Sequence, residues 1–378
     1  MFYKQRANQM CGASRPYTFA EHKAAFERDM SRRNFIKGAG ALAAAATLAG
    51  CGAYKGTSGD ASASAGEDSS AKSAPKSARK ITFCLDYTPN TNHTGIYVAQ
   101  AKGYFKDEGL TVKVVQPADG TAEAMIGSGQ AQLGVSYQDY IANALSSKNP
   151  VAIEAVAAII QHNTSGIMSR KADGITSAKK MEGHTYATWS MPVEQATIKQ
   201  VMESDGGDFS KLKMVPYEVD DEVAGLKANM FDCVWVYEGW AVQNAKVQHY
   251  DVNYFSFVDM DKVFDFYTPV IAANDDFAKK YPDVVKAFVR AAKRGYEYAI
   301  KHPKDAGDIL LDAAPELSSD LVQASAKYLA KQYQADAKSW GVIDKSRWDA
   351  YFKWLNDKNL VESKLDENSG WTMDYLEA

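Results

Sequence analysis

Asp86-Tyr87-Thr88-Pro89-Asn90-Thr91-Asn92-His93-Thr94-Gly95-Ile96-Tyr97-Val98-Ala99, continued by Ala101-Lys102-Gly103-Tyr104-Phe105-Lys106-Asp107-Glu108-Gly109-Leu110, is the stretch on which the fold turns. The apolar run before it, 81–86, is strand-like. Its Thr, Pro and Asn residues mark a turn, and the spacing over 92–104 predicts a helix. The same alternation continues downstream. Strand-like runs fall at 111–116, 132–136, 151–160, 165–169, 184–188, 213–217, 231–236 and 269–273. Helical stretches at 121–128, 139–147, 193–203, 222–228 and 238–247 separate many of them. Such alternation predicts an α/β fold, with helices on the faces of a parallel or mixed sheet. Ligands of such sheets collect at the carboxyl ends of strands. The C-terminal third is helical: 282–302 reads as one long helix opened by Pro282 and closed by His302-Pro303, with further helices at 319–332 and 347–355. No internal repeat is visible, which excludes solenoids and propellers.

The 378 residues suit about two globular units, and a net charge of −4 excludes a basic nucleic-acid footprint. Charge is uneven, because residues 1–50 hold eight Lys/Arg and only three Asp/Glu. Ser31-Arg32-Arg33-Asn34-Phe35-Ile36-Lys37 is a twin-arginine run, and the uncharged, small or apolar stretch 38–50 follows it. A membrane-spanning helix needs about twenty apolar residues, so this stretch reads as the core of a signal peptide. Leu48-Ala49-Gly50-Cys51 resembles a bacterial lipobox, in which the cysteine is acylated after cleavage. Residues 1–50 are therefore expected to be a signal-peptide region with Met30 as the true initiator, and Cys51 the site of lipidation. Residues 51–80, rich in Gly, Ala, Ser and Lys, are expected to be a flexible tether. The protein is expected outside the cytoplasm, lipid-anchored to the outer face of the cell membrane. Beyond Cys11 and Cys51, the two cysteines left, Cys84 and Cys233, lie in apolar strand-like runs, as buried thiols or as a disulfide. No residue spacing indicates a metal site, and no cofactor is expected.

The opening stretch resembles the thiamine-pyrimidine family, which comprises solute-binding proteins of ABC importers and fungal pyrimidine synthases of the same fold. The Ala-Lys-Gly-Tyr-Phe block is shared with binders of sulfonates and nitrate, whereas Asp-Tyr-Thr-Pro-Asn-Thr-Asn-His-Thr-Gly is narrower and is similar to the pyrimidine-precursor binders. Gly127-Ser128-Gly129-Gln130, Trp235-Val236-Tyr237-Glu238-Gly239 and Phe266-Tyr267-Thr268-Pro269-Val270 extend the resemblance over about 80–360. It implies a type II periplasmic-binding-protein fold, two α/β lobes around a ligand cleft. Lobe 1 would be 81–172 plus 268–378 and lobe 2 would be 173–267, with chain crossings near 170–176 and 266–270. It further implies capture of a thiamine pyrimidine precursor, such as hydroxymethylpyrimidine or a formylaminopyrimidine, and delivery to an ABC permease and its ATPase by a monomer. Riboflavin, thiamine or a sulfonate is the alternative ligand. A synthase is the less favoured reading. Aligned by eye, the synthases' lysine falls at Ser136, their histidine at Tyr140 and their cysteine cluster at 264–268. Serine forms no Schiff base and 264–268 holds no thiol.

A flat aminopyrimidine calls for aromatic faces, a carboxylate for the amine and hydroxyls or amides for ring nitrogens. The residues expected to supply them sit at strand ends. Glu238 follows an apolar strand and opens a helix, and in the family a glutamate here faces the pyrimidine; it also suits the helix dipole. Asp86 and Tyr87 end the first strand, for amine contact and stacking. Asn90 and His93 occupy the first strand–helix turn, His93 as a ligand contact or a solvated side chain, with Asn92 the expected cap. Ser136 and Tyr137 end another strand, Ser136 as a donor to a ring nitrogen. Trp189 and Ser190 precede Pro192, Trp189 as cleft wall or core. Tyr237 and Tyr267 either stack on the ligand or pack the lobes. Trp340, Trp348, Trp354 and Trp371 are assigned to packing.

Overall fold

In a computed structural model, the structure describes residues 79–117, 121–217 and 221–377. The expected signal region, Met30, the Cys51 anchor and the tether as far as residue 78 lie outside the described residues.

Apolar strands buried on both faces require helices on either side, and the chain meets this twice. The first five-stranded sheet runs β2-β1-β3-β10-β4 and the second β7-β6-β8-β5-β9. The first is built from β1 Lys80–Cys84, β2 Thr111–Val115, β3 Leu133–Ser136, β4 Ile153–Ala158 and β10 Val270–Asn274. The second is built from β5 Ser165–Arg170, β6 Thr185–Thr188, β7 Lys213–Pro216, β8 Cys233–Tyr237 and β9 Val252–Ser256. β1 is parallel to β2 and β3, and β6 is parallel to β7 and β8. Each sheet also takes one antiparallel strand from the far side of a chain crossing. β10 lies between β3 and β4, and β5 between β8 and β9. The registers Val270 opposite Ser136 and Ser165 opposite Tyr237 put the amino ends of β10 and β5 beside the carboxyl ends of their neighbours. Both crossings therefore run through the edge where a ligand cleft belongs.

The expected lobe boundary needs correction. Ser165–Arg170 pairs with β8 and β9, so the chain enters the second sheet between Ala158 and Ser165, not at 170–176. Its partners are distant in sequence, and local patterning carries no record of them. The return, between Ser256 and Val270, contains the expected 266–270 crossing. β9 and the helix Pro303–Ala313 also go beyond the expected elements.

The long helix Pro282–Lys301 buries Val284, Val285, Phe288, Ala291, Ala292 and Tyr296 at helical spacing. Phe288 stacks on Phe83 of β1 and on Phe105, with ring centroids 5.3 and 5.0 Å apart. Gly295 permits close approach to the helix Thr94–Ala101, since a Cβ there would sit 2.0 Å from the Gly95 carbonyl oxygen. Trp340 stacks on Tyr296, and Trp348 is fully buried. Trp354, in the helix Lys345–Asp357, packs on Phe264 and donates to Gln200 Oε1 at 2.8 Å, tying the C-terminal part to the second lobe. Cys84 and Cys233 are free, buried and in different sheets. Burial pushes the Cys84 thiol up to about 12.

Candidate functional site

A cavity of about 310 Å³ opens at the strand ends. The loop after β1 supplies Asp86, Tyr87 and Asn90; Tyr137 directly follows β3 and Tyr237 ends β8; the crossings add Ile160, Thr164, Thr268 and Pro269. Gly239, Trp240, Leu317 and Leu329 complete the wall, and no Lys or Arg lines it.

The loop after β1 is built by its own side chains. Asn90 Oδ1 accepts from the Asn92 N–H at 2.9 Å, so Asn90, and not Asn92, caps the turn Thr91–His93. The Asn90 N–H donates to His93 Nδ1 at 3.2 Å. That nitrogen is therefore unprotonated, and the imidazole proton sits on Nε2, which donates to Asp86 Oδ1 at 2.6 Å. The Tyr137 hydroxyl donates to the other oxygen, Asp86 Oδ2. Burial alone would raise the Asp86 carboxyl; His93 and Tyr137 outweigh it and hold it below the usual carboxylate range. Tyr333 and Tyr296 anchor the loop from behind, donating to the Thr91 and Asn92 carbonyls at 2.6 and 2.7 Å.

Tyr87 and Tyr237 present apolar faces to the opening. They are 39% and 41% exposed, and with Met230 they are the large hydrophobic residues left exposed among the described residues. The Tyr237 hydroxyl lies 3.3 Å from Thr268 Oγ1, so this second-sheet aromatic meets the crossing that returns to the first sheet. Two residues after Tyr137, Asp139 lies in the first turn of the helix Gln138–Ser146, and burial, helped by the Glu123 charge, pushes its carboxyl up to about 7.

Of the expected site residues, Asp86, Tyr87, Asn90, Tyr137 and Tyr237 are thus brought together. The others are placed elsewhere. His93 is fully buried and positions Asp86 instead of meeting solvent or a ligand. Ser136 is buried and donates to Glu123 Oε1 at 2.6 Å, which occupies the hydroxyl expected to reach a ring nitrogen. Tyr267 is a packing residue, 1% exposed; its hydroxyl accepts from Arg347 and from the Asp344 N–H at 2.7 Å, and its ring stacks on Trp348. Trp189 sits beyond the end of β6, edge-on to Trp235 at 5.2 Å, outside the cavity wall. Ser190 is exposed with φ 64°, and its N–H donates to Thr188 Oγ1. Glu238 is not among the lining residues; its Oε2 accepts from Tyr328 in the helix Ser319–Leu329 at 2.8 Å.

Sequence reasoning missed that helix as part of the site. Ser325 bridges Thr91 of the first-lobe loop, at 2.6 Å, to the carbonyl of Gly239 in the second. Gly239 leaves room for that helix, since a Cβ would sit 2.9 Å from the Leu329 side chain. No group of three or more His, Cys, Asp or Glu residues that could hold a metal occurs among the described residues.

Two α/β lobes with a cleft at their strand ends define the type II solute-binding architecture. The alkanesulfonate-binding protein SsuA of Xanthomonas axonopodis pv. citri has the same fold, with a TM-score of 0.59 at 8% identity over 78% of this chain and 98% of its own. Residues 90–306 match the family model described as NMT1/THI5 like, and the chain belongs to that family. The formylaminopyrimidine-binding protein of Halalkalibacterium halodurans is 27% identical over 75% of this chain and 87% of its own length. A 4-amino-5-hydroxymethyl-2-methylpyrimidine phosphate synthase of Saccharomyces cerevisiae is 26% identical over 79% of this chain and 88% of its own. Residues 29–49 match the signal sequence of the twin-arginine translocation pathway, which marks the chain for export.

Proposed function

We propose that this protein is the extracytoplasmic substrate-binding lipoprotein of an ABC importer, and that it captures a thiamine pyrimidine precursor of the hydroxymethylpyrimidine or formylaminopyrimidine type. The observation that carries the reading is the cleft itself: a carboxylate held ionised, Asp86, flanked by the exposed rings of Tyr87 and Tyr237. Asp86 accepts from the exocyclic amine, the two tyrosines cover the ring faces, and Asn90 and Thr268 address its edge. Each stacked aromatic adds about 0.5–1.5 kcal/mol beyond area burial. A wall without Lys or Arg disfavours a sulfonate or nitrate, whose charge calls for cationic donors. The pyrimidine named for the Halalkalibacterium relative supports the same ligand class.

Capture proceeds by closure of the lobes about the two crossings, 159–164 and 257–269, a shift of population toward the closed form. Delivery is to a membrane permease driven by its ATPase, with Cys51 acylated as the tether and the protein working as a monomer without a cofactor. We read it as a binder and not a synthase, because Ser136, where the synthases' lysine aligns, cannot form a Schiff base and is engaged by Glu123. Isothermal titration with a formylaminopyrimidine and hydroxymethylpyrimidine tests the reading. Saturable binding, weakened about tenfold in Tyr237→Ala, is expected; binding of an alkanesulfonate but of neither pyrimidine would overturn it.

A further inference from the structure

His162 lies on the first crossing, between β4 and β5, and is about one-third exposed. Three other elements each offer it a charged group. Its Nδ1 is 2.7 Å from Asp265 Oδ2 on the second crossing, and its Nε2 is 2.8 Å from Asp336 Oδ1 in the C-terminal segment. Arg347, from the helix Lys345–Asp357, places a guanidinium nitrogen 2.9 Å from Nδ1 and 3.0 Å from Asp265 Oδ2, and also donates to Tyr267. The neighbouring Asn163 fastens the crossings further: its N–H donates to Asp265 Oδ1 at 3.0 Å and its Nδ2 to the Phe264 carbonyl at 2.8 Å.

These contacts define two states. In neutral His162, Nδ1 accepts from Arg347 and only Nε2–H donates, to Asp336. In the protonated ring both nitrogens donate, one to each carboxylate, and Arg347 becomes a like-charged neighbour satisfied by Asp265 and Gln161. We propose that His162 is a proton-operated clamp that joins the two crossings between the lobes, tightening when its imidazole gains a proton. The hydrogen bond to Asp265 raises the affinity of His162 for that proton, with burial and Arg347 acting against it. A raised histidine contributes its stabilisation below its unfolded value, near 6.5, and loses it as pH climbs through the folded value. The clamp is therefore tightest in mildly acidic surroundings and loosens as pH climbs through the raised folded value.

The inference rests on the reading of the chain as a hinged binder, but its test requires no ligand, so failure of one is distinguishable from failure of the other. Hydrogen–deuterium exchange of the full chain is measured at pH 5.5 and pH 8, corrected for the intrinsic pH dependence, on peptides covering 159–165 and 257–269. Protection of both crossings is expected to be roughly two- to fivefold greater at pH 5.5, the range of a partly exposed ion pair. In His162→Gln that difference should vanish, while protection in the strands stays unchanged. Asp336→Asn, at an exposed position, should reduce it without touching the core. Equal protection at both pH values in the unaltered protein, or the same pH dependence in both variants, would overturn the proposal.

Discussion

Replacing Asp86 tests whether the cleft carboxylate is held as its geometry implies. In Asp86→Ala the His93 Nε2–H, on a fully buried ring, loses its acceptor, and the tautomer set by the Asn90 N–H leaves it nowhere to turn. An orphaned buried donor costs about 1–3 kcal/mol, and loss of a hydrogen bond to a charged group about 1.5–3 kcal/mol. The Tyr137 hydroxyl can rotate into the open cleft, so its loss adds little. Together these give an expected destabilisation of about 2–4 kcal/mol. Asp86→Asn should cost about half as much, because the amide oxygen still accepts from His93 while its nitrogen donates to the Tyr137 oxygen, and only charge assistance is lost. Urea unfolding at pH 7 reads both, as shifts in midpoint at constant slope. The depressed Asp86 carboxyl makes its contribution fully present above about pH 4 and lost as pH falls through its folded value, so the gap to Asp86→Asn should narrow by pH 3. Equal midpoints for the Ala and Asn variants at pH 7 would refute the assigned tautomer and the network built on it.

Other consequences are as specific. Tyr237→Ala should weaken pyrimidine binding about tenfold by titration calorimetry, from lost stacking and buried area; Glu238→Gln, whose amide oxygen still accepts from Tyr328, should leave affinity within about twofold, as expected of a neutral hydrogen bond retained. Gly295→Ala drives a methyl into the Gly95 carbonyl and should lower the thermal midpoint, with an overpacking cost of about 1–3 kcal/mol. Asp139 takes up its proton near pH 7 in the folded state, so its charge opposes folding increasingly from about pH 4 upward. Asp139→Asn should accordingly raise the thermal midpoint more at pH 8 than at pH 5.

The architecture was legible because strand, turn and helix signals agreed in residue after residue of the opening stretch, and because Pro282 and the apolar spacing after it mark one long helix. What escaped was non-local. Nothing within Ser165–Arg170 records that it pairs with β8 and β9, which displaced the lobe boundary. Asp251-Val252-Asn253-Tyr254-Phe255-Ser256 alternates too weakly with polar residues for an edge strand to stand out. Of the expected residues, Asp86, Tyr87, Asn90, Tyr137 and Tyr237 line one cavity because strand carboxyl ends of α/β sheets face one crevice. Ser136 was misjudged, and Tyr267 fell to the packing side of its two expected roles, since neighbours along an extended chain point to opposite sides: Tyr137 and Thr268 line the cleft, while Ser136 and Tyr267 turn inward to Glu123 and Arg347. His93 and Glu238 are polar residues satisfied by partners that spacing alone does not reveal, Asp86 across a turn and Tyr328 ninety residues away. A hydroxyl-bearing residue three or four positions apart on the late helices, as Ser325 and Tyr328 are, was the available signal for a helix that touches both lobes.

The most direct measurement is native mass spectrometry of the purified protein, followed by denaturing release and identification of whatever it carries. The account predicts an adduct of pyrimidine mass, or, for protein purified empty, a one-to-one adduct on addition of a formylaminopyrimidine that Tyr237→Ala forms only at about tenfold higher ligand concentration. Recovery of a sulfonate or nitrate bound one-to-one, with no pyrimidine able to displace it, would contradict it.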